Sequence, residues 1–160
     1  MPTDKPAHKK EIILHCGDLQ FTYRVNGGVE LFYKGIPVLQ GSSLWIMNPG
    51  WVSRIYGVPD RPGLLEDAEI LTVDGGYDLI IHHHTNPVNE SPFTGKEVYQ
   101  LRPNSSYRIT LEGQVKNQPD FVMEWLVGGL NPYLFLNKKA QVQYPDGSGS
   151  SIEFPLNARG

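Results

Sequence analysis

The sequence predicts an all-β fold, an antiparallel β-sandwich of about ten short strands with little or no helix. Glycine and proline are the first reason: 17 Gly and 13 Pro in 160 residues break any helix within a few turns. The second is that no window of eleven residues keeps an apolar i, i+3, i+4, i+7 pattern free of those two residues. The third is alternation, with apolar and polar residues changing places at period two along several segments. A hydrophobic content of 39% with 11% aromatics supplies enough apolar surface for a packed core and argues against disorder. At this length one domain is expected, with residues 1–10 as a flexible leader and 11–160 as a single sandwich.

Each strand has its own signal. Residues 11–14 open the domain with a short apolar run. In 20–26 Phe21, Tyr23 and Val25 face inward, and Asn26-Gly27-Gly28 then supplies turn residues before Val29, Leu31 and Tyr33, so a hairpin is expected. Residues 36–39 and 43–47 read as two further strands. A second hairpin joins 70–73 to 77–84 through Asp74-Gly75-Gly76, where glycine tolerates positive φ. The clearest alternation lies in 106–115: Tyr107, Ile109, Leu111 and Val115 form one row, and Arg108, Thr110, Glu112 and Gln114 the other. Strands are also expected at 121–127, 140–144 and 151–154, with 146–151 as a hairpin tip. Segments 58–67 and 86–96, rich in Pro and Gly, read as long loops. So many short strands bury both apolar faces best as two packed sheets.

Charge and cysteine content narrow the function classes. With 14 basic and 17 acidic residues the net charge is −3, too small and of the wrong sign for a protein that binds phosphate backbones, so no nucleic-acid partner is expected. No apolar run reaches the length of a membrane span, so no membrane partner is expected either. One cysteine, Cys16, allows no internal disulfide and reads as a small buried hydrophobe. Residues 1–10 carry Lys5, Lys9 and Lys10 without the apolar segment of a signal peptide. Residues 157–160 follow directly on a strand-like segment, as expected of a module of a longer protein.

His82-His83-His84 is the most conspicuous chemical feature. On a strand it places His82 and His84 on one face with Asp78, and His83 on the other with Leu79 and Ile81. With Gly76 and Glu90 the spacing is similar to the first metal motif of cupins, which implies a metal held by His82, His84 and Glu90. Glu90 lies a residue or two too far along, Pro87 interrupts the run, and no second motif follows. Nucleophilic catalysis has less support. Ser42 and Ser43 lack the flanking pattern of a nucleophile elbow, and His15 and Cys16, as strand neighbours, point to opposite faces. Glu66, Asp67 and Glu69 sit beside a loop and read as solvated. Of the aromatics Trp45, Trp51, Tyr56, Phe93, Tyr99, Trp125 and Tyr133, those beside Gly/Pro turns suit stacking on sugar rings. Trp125 alternates in phase with Phe121 and Met123 and belongs to the core. Trp51, Tyr56 and Phe93 are the candidates for carbohydrate contact.

Two stretches carry a family resemblance. Residues 29–57, with Leu31-Phe32-Tyr33-Lys34-Gly35-Ile36-Pro37-Val38 and Gly41-Ser42-Ser43-Leu44-Trp45, and residues 107–146, with Glu124-Trp125, Gly129-Leu130-Asn131-Pro132-Tyr133 and Tyr144-Pro145-Asp146, resemble the N-terminal β-supersandwich domains of large glycoside-hydrolase-like proteins. Those domains are similar in fold to galactose mutarotases, whose catalytic histidines and acid map onto no positions here. The resemblance implies a supersandwich-like module without catalysis or cofactor of its own. Its partners would be a catalytic domain of the same polypeptide, a glycoside hydrolase or polysaccharide lyase, and a poly- or oligosaccharide; the parent protein would be secreted or periplasmic. Two alternatives stand beside it: a cupin-like metal-dependent enzyme using the His82/His84 strand, and a stand-alone carbohydrate-binding protein.

Overall fold

The computed structural model describes residues 9–25, 27–51, 54–57, 64–84, 93–117, 120–126, 129–131, 134, 139–143 and 147–153. Residues 1–8 of the expected leader and 58–63 of the first expected loop lie outside that set. The chain divides into two compact units, Met1–Gly129 and Leu130–Gly160. Two four-stranded antiparallel sheets pack face to face in the first unit, as an all-β sandwich. No helix among the described residues is long and apolar enough to cross a membrane.

The first sheet is a meander of β1 (Glu11–Cys16), β2 (Leu19–Arg24), β3 (Gly28–Tyr33) and β4 (Ile36–Met47). Alternation sets its inner face: in β1 Ile12, Leu14 and Cys16 are buried while Glu11, Ile13 and His15 are exposed. Cys16 and His15 therefore diverge, as period two requires. The β3–β4 turn takes positive φ at both Lys34 (51°) and Gly35 (76°), the primed geometry whose twist matches the flanking strands. Gly28 enters β3 at φ 71°, and a Cβ there would collide with the Ser42 carbonyl oxygen. Only glycine fits that approach.

The sequence predicts two strands on either side of residues 40–42; the backbone instead runs on as the single strand β4, passing Gly41 at φ 73°. Ser42 still pairs with Val29 of β3; from Ser43 on β4 pairs with β10 (Val122–Leu126) and from Trp45 with β5 (Arg54–Gly57).

The second sheet runs β6 (Glu69–Val73), β7 (Gly76–His83), β8 (Phe93–Leu101) and β9 (Tyr107–Val115), each antiparallel to the next. The expected hairpin closes between β6 and β7 on Asp74 (φ 51°) and Gly75 (φ 72°). The strand β8 replaces part of the loop expected over 86–96. The two sheets thus contribute eight strands to the sandwich, against about ten expected. A two-residue strand, β11 (Gly129–Leu130), follows β10, and the second unit contains the hairpin of β12 (Lys139–Gln143) and β13 (Gly149–Glu153).

Between the sheets Phe21 packs on Tyr99 with ring centroids 5.2 Å apart, and Tyr23 meets Tyr99 edge-on at 5.7 Å. Leu44, Ile46, Leu79, Ile81 and Leu101 are fully buried around them. Each such side chain contributes about 1.5–3 kcal/mol relative to exposure.

Candidate functional site

Strand β7 carries the histidines, and pairing with β8 and β9 gives each face a distinct chemistry. His82 lies opposite Lys96, and Lys96 opposite Glu112, so these three form a row on the outer face. One residue along, His83, Gly95 and Gly113 form a row on the inner face.

The outer row floors an open cleft of about 370 Å³ lined by His82, His84, Thr94, Lys96, Glu112 and Gln114, together with His83, Gly95 and Gly113 of the next row. The rings of His82 and His84 stack 5.9 Å apart and 14° from parallel, the consequence of alternate positions on one strand. His82 Nε2–H donates to Glu69 Oε1 at 2.6 Å, and Lys96 Nζ lies 3.2 Å from Glu112 Oε2. Lys96 thus has an opposite charge at hand, and His82 a carboxylate acceptor. What remains on offer is a set of hydrogen-bond donors and acceptors: imidazole, hydroxyl, amide, ammonium and carboxylate.

The inner face is built differently. Glu97, fully buried, accepts a hydrogen bond at Oε1 from His83 Nε2 at 2.6 Å and a longer one from the Tyr23 hydroxyl at 3.5 Å; its Oε2 accepts from the Tyr99 hydroxyl. Burial, and next the Glu97 charge, push the Tyr99 hydroxyl well above its ordinary pKa, and the same two causes raise Tyr107. The carboxylate is tied on both oxygens, which is what holds a charge in an apolar core.

Phe93, a sequence candidate for sugar stacking, is fully buried on this side. Its ring sits 5.6 Å from His83 and covers the cross-strand glycine pair; a Cβ at Gly113 would collide with it. Trp51 ends the 3-10 turn Pro49–Trp51 and Tyr56 belongs to β5, but their side chains lie outside the described residues, as do the Trp125 side chain and Glu90. Among the described residues no group of three or more His, Cys, Asp or Glu converges to hold a metal ion.

No protein-family model, curated protein or solved structure matches the chain.

Period two puts the three histidines on their correct faces, but the sequence does not single out Lys96, Glu97 and Gln114 as members of the candidate site. Lys96 and Glu97 fell at the edge of the expected loop. A signal did exist: a histidine in phase with Leu79 and Ile81 needs a buried polar partner, and a glutamate on a neighbouring strand is the obvious one.

Proposed function

We propose that this chain is a noncatalytic β-sandwich module of a carbohydrate-processing protein, and that it holds a neutral glycan in the cleft on the outer face of β7, β8 and β9. The charge balance of that cleft carries the reading. Phosphate or sulfate would require Lys96 to abandon Glu112 and would meet both carboxylates. Sugar hydroxyls donate and accept together, so they bridge His–Glu and Lys–Glu pairs without separating them. An open cleft also suits a polymer that runs on past the site. The accessory role rests on the resemblance of residues 29–57 and 107–146 to supersandwich modules, in which catalysis falls to another domain of the polypeptide.

Isothermal titration of the whole chain with soluble neutral polysaccharides, and with acidic ones as contrast, tests this. Binding to a neutral glycan is expected, weakened about tenfold or more by Lys96→Ala or Gln114→Ala, with circular dichroism unchanged. No binding to any neutral polymer, or binding indifferent to both substitutions, would sink the proposal. Loss on Trp51→Ala or Tyr56→Ala alone would move the site to the turn after β4.

A further inference from the structure

Strand β6 is the edge of the second sheet. It pairs with β7 along one side in unbroken register, from Glu69 opposite Ile80 to Val73 opposite Gly76; no described strand pairs along the other. The two-residue turn fixes which backbone groups point outward. Val73 and Gly76 close it as a hydrogen-bonded pair, so Leu71 and Glu69 also bond inward, while the N–H and C=O of Ile70 and Thr72 face away from the sheet. The side chains are exposed as well: Ile70 is 43% and Leu71 45% accessible. A lysine, a proline and a bulge, three devices that protect an edge, are missing from Glu69-Ile70-Leu71-Thr72-Val73, whose one charge is Glu69 at its start. The opposite edge, β9, is blunted by exposed Arg108, Thr110, Glu112 and Gln114.

We propose that two copies of this chain associate edge to edge through β6, antiparallel, about a two-fold axis at Leu71. In that register the outward groups of Ile70 meet those of Thr72 of the second copy, and the reverse, so the free donors and acceptors match. Leu71 faces Leu71 of the second copy in a non-hydrogen-bonded pair, where side chains approach most closely. Glu69 falls opposite Val73, so no like charges meet. The strand is self-complementary, as an isologous interface demands. Because the axis is normal to the sheet, both clefts would open on the same side, the side Leu71 shares with His82. The dimer does not depend on what the clefts bind; if each takes a glycan, one long polymer would engage both.

A five-residue edge buries too little for a permanent dimer, so association should be reversible. Sedimentation equilibrium of the whole chain, from roughly 10 μM to 1 mM, should show a monomer–dimer transition. Thr72→Pro removes one outward N–H and Leu71→Lys sets like charges face to face; each should move the midpoint up by about tenfold or more. Leu71→Cys should form a covalent dimer on mild oxidation, since its pair geometry suits a disulfide, while Val73→Cys should not. Cys16 is buried and will not compete. A chain that stays monomeric over the whole range, or a dimer unmoved by Leu71→Lys, would overturn the proposal.

Discussion

Glu97 and His83 meet 2.6 Å apart on the inner face of neighbouring strands, with neither side chain exposed to solvent. They stand on a diagonal: His83 is directly opposite Gly95, and Glu97 is two residues further along β8. Because Gly95 has no side chain, the imidazole can lean toward the carboxylate and against Phe93.

Removing one member of this pair takes from the other a buried partner at 2.6 Å, while Glu97 keeps the Tyr99 and Tyr23 hydroxyls. Glu97→Ala and His83→Ala should each cost about 3–5 kcal/mol, measured by urea denaturation monitored by circular dichroism. The double substitution should cost clearly less than the two together, because the contact they share is lost only once. Additive losses would show that the pair acts as two independent residues.

Alkaline pH should loosen the core. Unfolded tyrosines titrate near about 10, whereas folded Tyr99 and Tyr107 keep their protons to higher pH. Above that point the native state binds more protons than the unfolded one, so stability is complete below about pH 10 and falls as pH rises. The slope should be at most about 1.4 kcal/mol per pH unit for each phenol. Tyr107→Phe should reduce it, and should leave neutral stability unchanged or raised, since the Tyr107 hydroxyl is buried without a hydrogen-bond partner among the described residues. Denaturant midpoints for both chains, from about pH 8 to about pH 11, give the comparison.

Two glycines should resist even alanine. At Gly28 the added methyl meets the Ser42 carbonyl at positive φ, and at Gly113 it meets the Phe93 ring. Each substitution should destabilise by about 1–3 kcal/mol, read as a lowered melting temperature. The Gly113→Ala penalty should shrink in a Phe93→Leu background, because that ring is the obstacle; the Gly28→Ala penalty should not.

If the cleft holds a neutral glycan as proposed, the affinity should be nearly independent of ionic strength. With the Lys96 ammonium already matched by Glu112, binding of an uncharged ligand releases few counterions. Titrations at about 0.05 and 0.5 M salt should agree within about twofold. A steep salt dependence would point to an anionic ligand.

The alternation in β9 and the paired turn glycines made much of the second sheet readable from sequence. The faces of the three histidines followed from period two alone. What escaped was β8, whose inward row, Phe93, Gly95, Glu97, Tyr99 and Leu101, mixes apolar, small and charged residues. Gly95 reads as a loop residue until Phe93 is seen to cover it. Glu97 reads as solvent-facing until His83 is placed diagonally across from it. The cleft was equally hidden, because its lining comes from three strands and depends on register. Gly41 misleads differently: it takes positive φ within β4 without ending it.

The run His82-His83-His84 carries one further consequence. Three chemically identical rings in a row are divided by the pleat, His82 and His84 toward water and His83 sealed inside. A reagent that acylates imidazole should therefore label two of them in the intact protein and reach the third only when the strands part. The middle ring is a native reporter of sheet opening, needing no introduced probe.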